Sequence, residues 1–415
     1  MPKLLTSEQN YNHIANAIRA RLDNGNSYLP SEMNGAISDI KTIPSSPNGV
    51  GRRDVTSVSG DIPANSFIEV VRESLSEGIL TGDGYSIIGS TTTSVAYCAL
   101  DDKRVVVFWV ASSVCYACVI TLTGIGTMSV GETNTISITT NAYLSAVAIS
   151  SSRIALVHGT NVKVAICEVS GDTVTSLSDT TISTTRNLPD SSTERGKECA
   201  VAIDGSKIFI IARGNSNARY KPYGIVCTIS GTTVTPGTET LLSSLTFSFL
   251  SCQSVSKIDS SRVFIAYRAN DNDAGYKPYG MVCTISGTTI TPGADTLLYD
   301  EAATVSNNSL IGVALSSTTA FVQWENGTDN ALYGVACALS NTTITPGTRT
   351  VLTTGFSPDS NKYNVSSVSR IDNTHVLSIY INSYSRYGMV SEISGSTIVS
   401  VGDSVLCVKS SNVNN

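Results

Sequence analysis

A nine-residue phrase, Tyr-Gly-Ile-Val-Cys-Thr-Ile-Ser-Gly at Tyr223–Gly231, recurs along the chain and limits what it can fold into. Nearly the same words stand at Tyr279–Gly287, Tyr333–Asn341 and Tyr387–Gly395, with fainter copies at Tyr116–Gly124 and Lys163–Gly171. The closing residues of successive copies lie 47, 60, 56, 54 and 54 positions apart. A strand-rich unit repeating at that period implies a toroid of small sheets, each burying its faces against its neighbours. The stretches Ile208–Ala212 and Val263–Tyr267 are apolar at every position. A sheet with one wet face alternates; a sheet sandwiched between two others does not.

The fourth copy shows the unit most clearly. It predicts a first strand at Ser254–Ile258, a turn Asp259-Ser-Ser-Arg, a second strand at Val263–Arg268 and a loop over Ala269–Pro278. The repeated phrase then forms a third strand, and Thr289–Leu298 a fourth. Equivalent turns fall at Asp101–Arg104, Asp204–Lys207 and Asp372–His375. Pro236, Pro292 and Pro346 sit in the fourth strands, and proline, lacking an N–H, belongs on an edge. That puts the fourth strand at the rim and the first at the axis. The expected fold is mainly β: a β-propeller of six four-stranded blades over residues 89–415, or seven if residues 55–88 supply a short one. Residues 46–88 read as a linker with short strands.

Residues 1–45 differ in kind. Ile14, Ala17, Ile18 and Leu22 follow a 3.6-residue period after a capping Thr6 or Ser7, and Met33, Ile37 and Ile40 share a stripe on a second short helix opened by Pro30-Ser31-Glu32. So small a helical hairpin cannot supply its own core, and its apolar face needs another surface. Ile14, Ile18, Leu22, Met33, Ile37 and Ile40 are therefore the candidate attachment residues.

The hairpin also carries a resemblance. Ile14-Ala-Asn-Ala-Ile-Arg, a polar turn, and then Leu29-Pro-Ser-Glu-Met-Asn-Gly-Ala-Ile resemble a segment near the start of tail, baseplate and fibre proteins of phages of Gram-positive bacteria. The resemblance covers about 40 residues and bears on where the chain is mounted. It implies a non-enzymatic virion protein joined to other virion proteins through its helices, with the propeller facing the host surface and its glycans. It leaves open a head decoration or fibre, and copies of the chain could pair within the particle. The N-terminus lacks an apolar signal core, so synthesis in the host cytoplasm and residence in the virion are expected.

Composition fits those expectations. The formal charge is -6 and only 14% of residues are charged, so nothing marks a nucleic-acid surface, and no apolar run is long enough to span a bilayer. Of ten cysteines, Cys167, Cys227, Cys283 and Cys337 fill one slot of the repeat and read as small buried hydrophobes rather than bridges. Cys115 and Cys118 form a CxxC without the second pair a zinc site needs. Histidine is scarce (His13, His158 and His375); His375 takes the Arg/Lys slot of the repeat turn and His13 lies in the helix, neither with a recognisable Ser or Asp partner, so a catalytic triad is not expected. No cofactor or metal is expected. The competing class is a carbohydrate-active enzyme, which would need two facing carboxylates at the axial mouth.

The loops between second and third strands carry the candidate ligand residues: Arg213, Asn215 and Tyr220 in the third copy; Arg268, Asn270, Asp271 and Tyr276 in the fourth; Trp324 and Glu325 in the fifth; Tyr384 in the sixth. Arg, Asn and acidic groups suit sugar hydroxyls, and flat aromatic faces suit pyranose rings.

Overall fold

In a computed structural model, the described residues are 92–124, 127–138, 143–188, 199–214, 221–247, 253–270, 276–300, 310–326, 331–354, 367–382 and 385–408. All lie in the second of two compact units, Gly82–Asn415. The helical hairpin and its six attachment residues, like the linker strands, fall outside them.

The described residues are mainly β and contain no helix. Their strands form five antiparallel sheets, and the nine-stranded one joins two copies of the repeat, so that each of the six described copies can be followed as a module. The first strands are Thr92–Ala99, Leu144–Ser150, Ala200–Asp204, Gln253–Asp259, Ile311–Ala314 and Ser367–Arg370. The second strands are Arg104–Ala111, Arg153–His158, Lys207–Gly214, Arg262–Asn270, Thr319–Asn326 and His375–Asn382. The third strands are Val114–Gly124, Asn161–Ser170, Pro222–Ser230, Tyr276–Ser286, Ala331–Ser340 and Ser385–Ser394. Each first strand lies against the first strand of the next module, so the modules pack face to face about their inner edges. That is the construction of a β-propeller.

The outer strand is not continuous as expected. In the third module it is split into Thr233–Pro236 and Thr240–Leu241, both paired to the third strand. The break falls after proline: Gly237 N–H reaches inward to Val226 O at 2.8 Å, and Gly293 to Val282 O and Gly347 to Ala336 O repeat the bond. A β-carbon on Gly237 would stand 2.7 Å from Thr288 Cβ, in the turn of the following module. Gly293 meets Thr342 in the same way, and Gly347 meets Ser396. Each rim thus receives the next module's turn at a place where only glycine fits. The second module departs from the rule with one long outer strand, Thr173–Asn187, whose end also pairs with the second strand of module three.

Two kinds of polar tie join modules. Near the axis, serine hydroxyls bridge first strands: Leu144 N–H donates to Ser94 Oγ at 3.1 Å, and Ser254 Oγ donates to Gly312 O at 3.1 Å. Tyr97 Oη of the first module lies 3.3 Å from Ser367 Oγ of the last. At the turns between first and second strands, Asp259 accepts from Ser261 N–H and from Arg262 Nε, both at 2.8 Å. The aimed guanidinium then donates to Asn341 O and Ser317 O of the next module. Arg104 reaches Ser151 O likewise. Ser150 and Ser316 open the same turn in the two modules that lack an aspartate there, a serine accepting from the N–H two residues on.

The turn carboxylates are held low. Hydrogen bonding to Arg104 lowers Asp101. Partial burial pushes Asp204 upward, yet the bonds from Ser206 and Lys207 outweigh it and bring Asp204 down to about 2.

Candidate binding face

The second and third strands of consecutive modules form hairpins whose tips leave the sheets at the end opposite the aspartate turns. Arg213 pairs with Pro222, Arg268 with Pro278, Asn270 with Tyr276 and Glu325 with Leu332. Sequence reasoning placed these elements at one end of the sheets. It misjudged which residues are presented there.

Trp324 is 0% exposed, Glu325 1%, Arg213 4% and Arg268 5%. None of the four offers a face to a ligand. The correction has a simple cause: the strand containing Trp324 runs on to Asn326, so the residue taken as the start of a loop is still inside the sandwich. Trp324 packs against Tyr333 and Tyr299 at ring separations of 6.1 and 6.2 Å. Arg349 lies over Tyr299 and Tyr333 at 4.0 and 4.1 Å, a cation on the negative ring faces. Asn270 and Tyr276 close the fourth hairpin as a strand pair. Asn215, Tyr220, Asp271 and Tyr384 lie outside the described residues.

The tyrosine opening each late copy of the phrase has the packing role its recurrence suggests. Tyr279 stacks on Tyr267 at 5.8 Å and Tyr387 on Tyr380 at 5.5 Å, as Tyr116 does on Trp109 at 5.7 Å. Module three has Ala212 opposite Tyr223, and there Arg186 covers the half-buried ring at 3.6 Å.

A second set of residues escaped the sequence reading. Two positions after the rim glycine stand Glu239, Asp295, Arg349 and Ser404. Glu239 accepts from Ser183 of the preceding module and pairs with Arg186 at 2.9 Å. Asp295 accepts from Tyr267 and, at 2.8 Å, from Ser243, which precedes its module. Tyr380 Oη donates to Ser404 Oγ at 2.8 Å. The register Pro-Gly-x-Glu/Asp/Arg was visible in the repeat and is the signal that would have found them. Glu239 and Asp295 are engaged by these bonds beside the rim.

The reading of His375 also needs correction, and His158 likewise meets an aspartate. His375 Nδ1 lies 2.9 Å from Asp372 within its own turn, the imidazole taking the place of arginine. His158 Nε2 lies 2.9 Å from Asp179. Burial of the His158 ring lowers its pKa, despite the favourable aspartate, so it is held neutral and its Nε2–H donates.

Cys115 and Cys118 are three apart on one strand and so point to opposite faces. Both are free and buried, and burial pushes Cys115, Cys167, Cys227, Cys283 and Cys337 up to about 12. Such thiols are poor nucleophiles. Among the described residues no group of three His, Cys, Asp or Glu is placed to hold a metal ion.

No protein-family model matches the chain, and no curated protein matches it in sequence. Solved structures with a similar outline include the periplasmic gluconolactonase of Pseudomonas aeruginosa, at TM-score 0.47 and 13% identity over 75% of this chain and 85% of that one. The WD40 domain of Toxoplasma gondii coronin gives 0.44 and 9% over 78% and 72%. The β-propeller domain of the trilobed protease of Pyrococcus furiosus gives 0.39 and 7% over 75% and 83%. At these scores the likeness adds nothing to the strand pairing described above.

Proposed function

We propose that the chain is a non-enzymatic bacteriophage virion protein of the tail, baseplate or fibre, a six-bladed propeller displayed towards host-surface glycan. One observation carries this reading. The second and third strands of successive modules repeat, while the stretches that join them change in length and make-up: Asn-Ser-Asn-Ala-Arg-Tyr at 215–220 and the related Asp-Asn-Asp-Ala-Gly at 271–275, then the unlike Gly-Thr-Asp-Asn at 327–330 and Ser-Tyr at 383–384. Variable polar and aromatic tips on an invariant scaffold are how binding sites are mounted.

Ring closure is supported by the unbroken succession of first strands and by the Tyr97–Ser367 contact between the terminal modules. With Trp324, Glu325, Arg213 and Arg268 committed to packing, the ligand candidates narrow to Asn215, Tyr220, Asp271 and Tyr384, with Asn270 and Tyr276 beside them. The helical hairpin, through Ile14, Ile18, Leu22, Met33, Ile37 and Ile40, serves as the mount.

Pull-down of the full chain on purified cell-wall glycan tests the binding half, with the Tyr220→Ala/Tyr384→Ala double variant as comparison. Retention of wild type and loss of the double variant are expected; equal retention of both, or release of cleaved glycan, overturns it. Deletion of residues 1–45 tests the mount: particles assembled normally with the shortened chain rule it out.

A further inference from the structure

Two interfaces between modules share most of their residue types, and three positions that are apolar in one are polar in the other. Between modules three and four, one wall carries Phe209 and Ile211, and the other Val255, Val263, Ile265, Tyr267, Met281, Cys283 and Ile285, all buried in one apolar cluster. Between modules five and six the equivalent positions hold Phe321, Val368, Val376, Tyr380, Met389 and Ile393. The repeat register makes the match exact at each strand pair: Ile211 stands opposite Gly224 as Gln323 stands opposite Gly334. Ile265 stands opposite Met281 as Ser378 stands opposite Met389. Cys283 stands opposite Val263 as Ser391 stands opposite Val376.

The exchanges are therefore Ile211 for Gln323, Ile265 for Ser378 and Cys283 for Ser391. All three turn polar, and all three fall on the walls that face each other across one interface. Gln323, Ser378 and Ser391 are each fully buried. Neither amide atom of Gln323 nor either hydroxyl has a hydrogen-bond partner in the protein. A buried donor or acceptor left unmade is costly, and native proteins hold few of them. Three such residues gathered at one interface, where the sister interface is apolar at all three positions, call for a shared occupant.

Geometry narrows what it is. Ser378 and Ser391 lie on adjacent strands in diagonal register, which separates Cα atoms by roughly 7–8 Å. Two short hydroxyl side chains cannot meet directly across that gap, but a single water can bridge them. Serine is also much smaller than isoleucine, so the Ser378 side is emptier than its Ile265 counterpart. A water needs two to four polar partners in an enclosed site, and the amide and two hydroxyls supply them.

We infer that the interface between modules five and six is a hydration site, in which ordered water is held by Gln323, Ser378 and Ser391 as an integral part of the fold.

A crystal structure of the full chain at a resolution that shows ordered solvent tests this directly. Water within about 3.2 Å of the Gln323 amide and of a serine hydroxyl is expected; a direct Gln323–serine bond with no solvent between them overturns it. A mutant cycle gives an independent reading in solution. Gln323→Ile alone and Ser378→Ile alone should each lower Tm by about 2–4 °C, since each strands the remaining polar groups. The triple variant Gln323→Ile/Ser378→Ile/Ser391→Cys, which copies the apolar residues of the sister interface, should recover most of that loss. Strictly additive losses would mean that the three share no occupant.

Discussion

Neighbouring residues of one strand show how unequally the modules are held. Val106 points into the second module and is fully buried, in a cluster with Phe108, Val110, Leu156 and Cys167. Val107 points away from it and is only half-buried, as are Val95, Val105 and Ile120 on the same face. Tyr97 on that face is 45% exposed and Leu122 49%. The last module repeats the contrast: Val376 and Met389 face the fifth module and are buried, while Leu377, Ile379 and Val390 on the other side are half-buried. Packing is thus closer between modules that follow one another in sequence than on the remaining faces of the first and last modules, where Trp109 and Cys118 are buried but most of their neighbours are not. Covalent succession does not itself bury surface. What differs is the packing of paired faces, and the outward faces have less of it.

The largest effect should come from the interior. Trp324→Ala removes a fully buried indole held between two tyrosines and should cost about 3–5 kcal/mol in denaturant unfolding. A value near that of a surface substitution would mean that the interior interfaces are no tighter than the outward faces. A sharper version uses adjacent residues. Val106→Ala should cost about 2 kcal/mol and Val107→Ala less than about half of that, because the second side chain is already partly hydrated. Equal costs would erase the distinction. Amide hydrogen exchange should follow the same order, the first and last modules opening before the third and fourth.

Acid offers a way to weaken an interior interface selectively. His158 has its folded pKa depressed by burial, below an unfolded value of about 6.5. The unfolded chain therefore binds more protons there. The stability tied to the neutral ring is complete above about pH 6.5 and is lost as pH falls below it. Unfolding midpoints measured from pH 7.5 to 5 should fall for the wild type and stay flatter for His158→Gln. The turn aspartates act lower: Asp204, at about 2 in the fold, keeps its contribution above about pH 4 and loses it towards pH 2. The smallest expected effect is Arg262→Ala. It removes a partly exposed ion pair and two bonds to the next module's carbonyls, for about 1 kcal/mol.

Much of this architecture was legible in the repeat. The period gave the modules, the unbroken apolar runs gave the sandwiched second strands, and the prolines gave the rim. Other features were hidden for physical reasons. Trp324 begins a run of polar residues, and only the paired strand opposite, reaching to Ala331, reveals that the ladder continues past it. Glu239 and Asp295 looked like ordinary loop acids because their partners, Ser183 and Ser243, come from the preceding module. Gln323, Ser378 and Ser391 are unremarkable one at a time and become informative only when two interfaces are laid side by side. The tips that carry the proposed binding residues have little repetition to read.

The rim glycines carry a consequence for how such a chain can change in length. Copies three, four and five each carry a glycine socket that receives the turn of the copy after it, as Gly237 receives Thr288 and Gly293 receives Thr342. An in-frame duplication or loss of one whole unit would therefore leave each surviving joint matched without a new surface having to evolve. Insertions of part of a unit would not, and the chain should tolerate change in steps of one blade.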